Sequence, residues 1–157
     1  MTEPIKRSTL FRFVGWFALA NSVVFGLVSL RYFSGGMPAP SALSMLYLFA
    51  VYIGHHVMLT VVPLLLISLP FILFKPSRRL LTLVAVVLFA FMIALMMLDR
   101  LLWSQSRFHI NGLTIRILGW PSWVFTGVIF AIGLFFQATL ARNVWAFVEK
   151  SKRRRGG

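Results

Sequence analysis

Residues 80–98 read LLTLVAVVLFAFMIALMML, an uncharged run that ends at Asp99 and Arg100. Some nineteen residues at 1.5 Å rise make about 28 Å of helix, close to the hydrocarbon thickness of a bilayer. Such a helix delivers two opposite charges to one membrane face. The polar passage LLWSQS follows, and then Arg107–Leu118, RFHINGLTIRIL. That second stretch is aromatic, basic and half apolar, which predicts an element lying along the face that the helix reaches.

The rest of the chain agrees with a membrane setting. Of 157 residues, 59% are hydrophobic and 12% charged, with a mean hydropathy of +0.87. A soluble domain of this size keeps a large share of its residues at the surface and could not hide so much apolar area. The composition therefore predicts an integral membrane protein. The net charge of +13, with Glu3, Asp99 and Glu149 as the acids, raises nucleic acid as a partner. The basic residues flank apolar runs instead, which is the pattern of a topology signal and of contact with anionic lipid, so no nucleic-acid partner is expected. There is no cysteine, which removes disulfides and thiolate metal sites. The first apolar run is too long for the h-region of a cleaved signal peptide, and no small-x-small site precedes a soluble domain, so it is expected to remain as a span.

In chain order, Lys6, Arg7 and Arg12 lead into a first span over 13–30, closed by Arg31 and Tyr32. Asn21 lies near its middle, and an amide there should face another helix, where a hydrogen bond is worth about 0.6–2 kcal/mol. SGGMPAPS (34–41) is a loop by its Gly, Pro and Ser content. Residues 43–74 are then apolar, about 48 Å as straight helix. That is long for one perpendicular span and short for two, so one tilted helix, kinked near Pro63 and Pro70, is predicted. KPSRR (75–79) turns into the span 80–98. A periplasmic interfacial segment is expected over 99–122, then a last span over 123–147 with Trp120, Trp123 and Trp145 at its two interfaces, and a basic tail over 150–157.

Four spans put the N-terminal segment, KPSRR and the tail on one side, eleven Lys and Arg in all. Arg31, Arg100, Arg107 and Arg116 lie on the other. The expected fold is an all-α bundle of four transmembrane helices with both termini cytoplasmic. No internal repeat of the kind found in many secondary transporters is evident.

Three stretches carry a family likeness: the first span with Trp16, Phe17, Ala18, Leu19 and Asn21; the triplet Ile53-Gly54-His55; and Asp99 followed by Arg107-Phe108-His109-Ile110-Asn111. In order and spacing they resemble the N-terminal membrane domain of the YejM/PbgA family, inner-membrane sulfatase-like proteins of Gram-negative bacteria. The likeness covers nearly the whole chain. It implies a membrane domain of five spans followed by a linker and a periplasmic domain of the alkaline phosphatase superfamily, of which this chain has four spans and stops near Lys152–Arg155. No catalytic residue carries over, so no enzyme activity is expected. The likeness further implies a role in lipopolysaccharide regulation, through contact with the adaptor that sends an early lipid A biosynthetic enzyme to a membrane protease.

Candidate sites follow. Asp99 and Arg100 are either charges at a helix end reaching the headgroups, or a point where Asp99 turns inward to pair with Arg107 or His109. Arg100, Arg107, His109 and Arg116 are the candidate headgroup ligands for phospholipid or lipopolysaccharide, since Arg forks grip phosphate oxygens. Asn111-Gly112 should turn the chain. His55 and His56 point about 100° apart on a helix and cannot easily share a metal. Asn21, His55 and Asp99 are the expected interhelical polar contacts, and a proton pathway through His55, His56 and Asp99 is a further option. Lys150, Lys152, Arg153, Arg154 and Arg155 form the cytoplasmic basic tail. No metal or cofactor is expected, and the sequence sets no oligomeric state. Three functions compete: a non-catalytic module that binds envelope lipid and a partner, the truncated membrane anchor of a periplasmic sulfatase-like hydrolase, and a small transporter or proton pathway.

Overall fold

The computed structural model describes residues 6–30, 41–74, 76–106, 109–111, 116 and 119–153, without the side chains of 105, 106, 152 and 153. The described residues form four α-helices: α1 Arg7–Ser29, α2 Ala42–Phe74, α3 Arg78–Ser106 and α4 Trp120–Arg153. Each is long and apolar enough to cross a membrane. Their 23, 33, 29 and 34 residues correspond to about 34, 50, 44 and 51 Å of helix.

Three of these helices, α1, α3 and α4, outrun the expected spans at polar ends, whereas α2 matches its span to within one residue. α1 begins six residues before Phe13, because Arg7 and Arg12 can stay helical while their long side chains reach outward. α3 does not stop at Asp99 but continues for about two turns through Leu101, Leu102 and Trp103. α4 starts at Trp120 with Pro121 in its first turn, where a missing N–H costs nothing, and runs through Lys150 to Arg153. α2 is one continuous helix with Pro63 and Pro70 inside it.

Two compact units divide the chain, Met1–Val84 with Arg142–Gly157, and Ala85–Ala141. In the first, α1 packs along α2. The buried row of α1 includes Leu10, Phe13, Val14, Phe17, Ala18, Asn21, Phe25 and Ser29. That of α2 is a single file at every fourth residue: His56, Thr60, Leu64, Ser68 and Ile72. Spacing of three and four residues keeps each row on one helix face.

One end of this unit is knitted by aromatic and charged groups. Phe13 stacks on Trp145 at 4.3 Å between centroids and on Phe17 at 5.2 Å. Trp145 Nε1 donates to Thr82 Oγ1 at 2.8 Å. The Arg78 guanidinium lies 4.5 Å over the Trp145 ring and pairs with Glu149 at 2.5 Å. Arg7 donates to the Leu73 carbonyl, one of the last four in α2 and so without an intrahelical donor.

The second unit holds the later part of α3 and the earlier part of α4. Its buried positions on α3 include Ala85, Phe89, Ala90, Ile93, Ala94 and Leu98, repeating at three and four residues. Gly133 of α4 comes so near α3 that a Cβ there would stand 3.3 Å from Ala90 Cα. Small residues at a crossing let two backbones approach and gain dispersion contact. Phe91 and Phe130 meet edge to face at 6.5 Å.

Candidate functional site

The continuation of α3 past Leu98 puts Asp99 on the helix rather than at its end, two turns before Ser106. Its carboxylate accepts two hydrogen bonds from the chain beyond the helix. Ile110 N–H donates to Oδ1 at 2.7 Å, and His109 Nδ1 donates to Oδ2 at 2.9 Å. Trp103, one turn further along α3, stacks on the His109 imidazole at 4.6 Å and 17°. Positions 99 and 103 are neighbours on a helix surface, so one face of α3 supplies both a carboxylate and an aromatic plate. Together they hold His109 and Ile110 against α3.

Of the candidate headgroup ligands, Arg100 is half-buried on α3, while His109 and Arg116 are exposed. Arg107 lies outside the described residues, as do Phe108, Gly112 and the stretch 113–115. Lys150 is exposed on α4. Lys152 and Arg153 are described in backbone only, within α4, and Arg154 and Arg155 lie outside the described residues. Among the described residues no group of three His, Asp or Glu side chains converges as a metal site would need.

The polar contact across the first two helices falls on a different histidine from the one expected. His55 is exposed, with its ring edge-on to His56 at 5.5 Å. His56 is the one buried against α1. Its Nδ1 donates to the Tyr52 carbonyl one turn back at 2.7 Å, and its Nε2 is hydrogen-bonded with Ser29 Oγ at 2.6 Å. Ser29 Oγ is also 2.6 Å from the Tyr52 hydroxyl, which donates to the Gly26 carbonyl. A turn and a half deeper, the hydroxyls of Ser22 and Thr60 are 2.5 Å apart. Asn21 is fully buried and donates to the Phe17 carbonyl of its own helix at 2.9 Å.

The residues that sequence reasoning missed are therefore Ser22, Ser29, Tyr52 and Thr60. A signal was present: Tyr52, His56, Thr60 and Ser68 stand four or eight apart within an otherwise apolar run, all on one side of the helix. Within this seam the polar atoms of Ser22, Ser29, Tyr52, His56 and Thr60 satisfy one another or helix carbonyls. Its chemistry is that of a fastening between helices.

The described residues define a helical protein of four membrane-length apolar helices, with His109 and Ile110 held by the Asp99 carboxylate of the third. The chain belongs to the family described as Domain of unknown function (DUF3413), which it matches over residues 3–157. No curated protein matches it.

Proposed function

We propose that this chain is a multi-pass module of a bacterial inner membrane, of the YejM/PbgA type, with both termini cytoplasmic. It is non-catalytic. It binds the headgroups of envelope phospholipid or lipopolysaccharide through Arg100, Arg107, His109 and Arg116, and acts through a partner such as the adaptor of lipid A enzyme proteolysis. The observation that supports this reading is the Asp99 anchor, which holds His109 and Ile110 against α3 beside three arginines within seventeen positions of Asp99 in sequence. A cationic, aromatic segment held near a helix terminus suits phosphate groups at headgroup depth.

The test is lipopolysaccharide retention by the protein in nanodiscs of phosphatidylethanolamine. Arg107→Gln with Arg116→Gln should lower retention at least tenfold; unchanged retention refutes the headgroup role. Failure of the wild-type protein to co-purify with the adaptor from mild detergent refutes the partner role separately.

A further inference from the structure

A second feature lies in the first unit, between α1 and α4. A groove of about 410 Å³ is walled by Trp16, Ala20 and Val23 of α1 and by Asn143, Val144 and Phe147 of α4. Trp16 and Phe147 meet edge to face at 4.9 Å at its side. Apart from Asn143 the lining is apolar. From Trp16 to Val23 it runs about 10 Å along α1, roughly a third of a hydrocarbon core.

The charge at one end of the groove says what fits it. Arg12, Trp16, Ala20 and Val23 stand at i, i+4, i+8 and i+11, a single stripe of α1. Asn143, Phe147 and Lys150 stand at i, i+4 and i+7, a single stripe of α4. Arg7 at the start of α1 reaches the Leu73 carbonyl at the end of α2, and Arg78, five residues on from Leu73, pairs with Glu149 near the end of α4, so α1 and α4 run antiparallel here and both stripes become basic at the same end. Arg12 and Lys150 are exposed. The nearby acid, Glu149, points off the groove stripe and is paired with Arg78. An apolar channel that opens toward two exposed cations matches a molecule with an apolar tail and an anionic head. A bare helix from a partner protein would leave both charges unanswered.

We propose that this groove holds an anionic diacyl phospholipid. One acyl chain lies between Trp16 and Phe147 and runs toward Val23, and the phosphate sits between Arg12 and Lys150. The proposal rests on the membrane-spanning reading above, but not on the Asp99 segment, and it uses different residues.

The test is native mass spectrometry of the full chain in detergent, titrated with phosphatidylglycerol and with phosphatidylethanolamine of the same acyl chains. One tightly held phosphatidylglycerol is expected. Ala20→Trp fills the groove from a half-buried position and should lower its retention at least tenfold. Arg12→Gln with Lys150→Gln should lower phosphatidylglycerol retention by roughly fivefold per cation and leave phosphatidylethanolamine unchanged. Arg107→Gln with Arg116→Gln should change neither, which separates this site from the headgroup segment. Equal loss of both lipids in the charge variant overturns the proposal, as does full retention in Ala20→Trp. A dimer peak that Ala20→Trp abolishes, with lipid retention unaltered, would assign the groove to a second copy instead. If Ala20→Trp fails to fold, the charge variant alone decides.

Discussion

The hold of Asp99 on the following segment can be measured directly, because the chain has no cysteine and a single introduced thiol reports on one position. Ile110→Cys keeps the backbone N–H that donates to Oδ1 and places the thiol at a half-buried site. Asp99→Ala in that background removes both hydrogen bonds. Charge-assisted bonds contribute about 1.5–3 kcal/mol each when buried. The His109 side chain is 62% exposed and that of Asp99 23%, so solvent screening brings the pair to about 2 kcal/mol in total. At 1.4 kcal/mol per decade, that is roughly a thirtyfold rise in the detached population. Maleimide labelling of the protein in detergent should speed up by about that factor. Asp99→Asn keeps an acceptor for Ile110 N–H, loses the charge, and should fall between the two. An unchanged labelling rate in Asp99→Ala would refute the claim that this carboxylate anchors the segment.

The two adjacent histidines should respond unequally. His56→Phe breaks the link to Ser29 and should lower thermal stability in micelles by about 1–2 kcal/mol, whereas His55→Phe on the exposed side should stay within about 0.5 kcal/mol; equal effects would show that the seam is not where helix α2 is held. Gly133→Leu should destabilise by about 1–3 kcal/mol, because its side chain must enter the crossing at Ala90. Gly127→Ala has no atom within 4 Å of its new Cβ and should be neutral or stabilising by up to about 1 kcal/mol, as read from the same melting curves.

The two prolines of α2 show how propensity yields to setting. Pro63 and Pro70 each remove a backbone donor, and in water such residues break helices at a cost of about 3 kcal/mol. Here the helix continues through both. Bilayer-length apolar segments tolerate proline because neighbouring helices and hydroxyl side chains can compensate the freed carbonyls and no competing solvent is at hand. Thr60, three residues before Pro63, spends its hydroxyl on the His56 and Val57 carbonyls and on Ser22. It therefore serves the seam rather than the proline.

The sequence by itself determined the four membrane-length helices of the described residues, their apolar character and the charges that flank their apolar runs. Those follow from run length, hydropathy and the placement of Lys and Arg, which need no tertiary partner. It also offered Asp99 a partner in Arg107 or His109, beside the plainer reading of a charged helix end at headgroup depth. Tertiary structure decided which side of each helix faces inward. Most side chains of α2 are apolar, so hydropathy alone marks no face, and the one cue that separates His56 from His55 is the sparse polar file of Tyr52, His56, Thr60 and Ser68. The choice of His56 comes from Ser22 and Ser29, seven residues apart on α1 and so on one face, which meet the file of Tyr52, His56 and Thr60. The helices also run past the charges that mark the expected spans. Charge marks where the bilayer stops, but a helix stops only where its backbone hydrogen bonds find other partners, and at Asp99 they had no cause to.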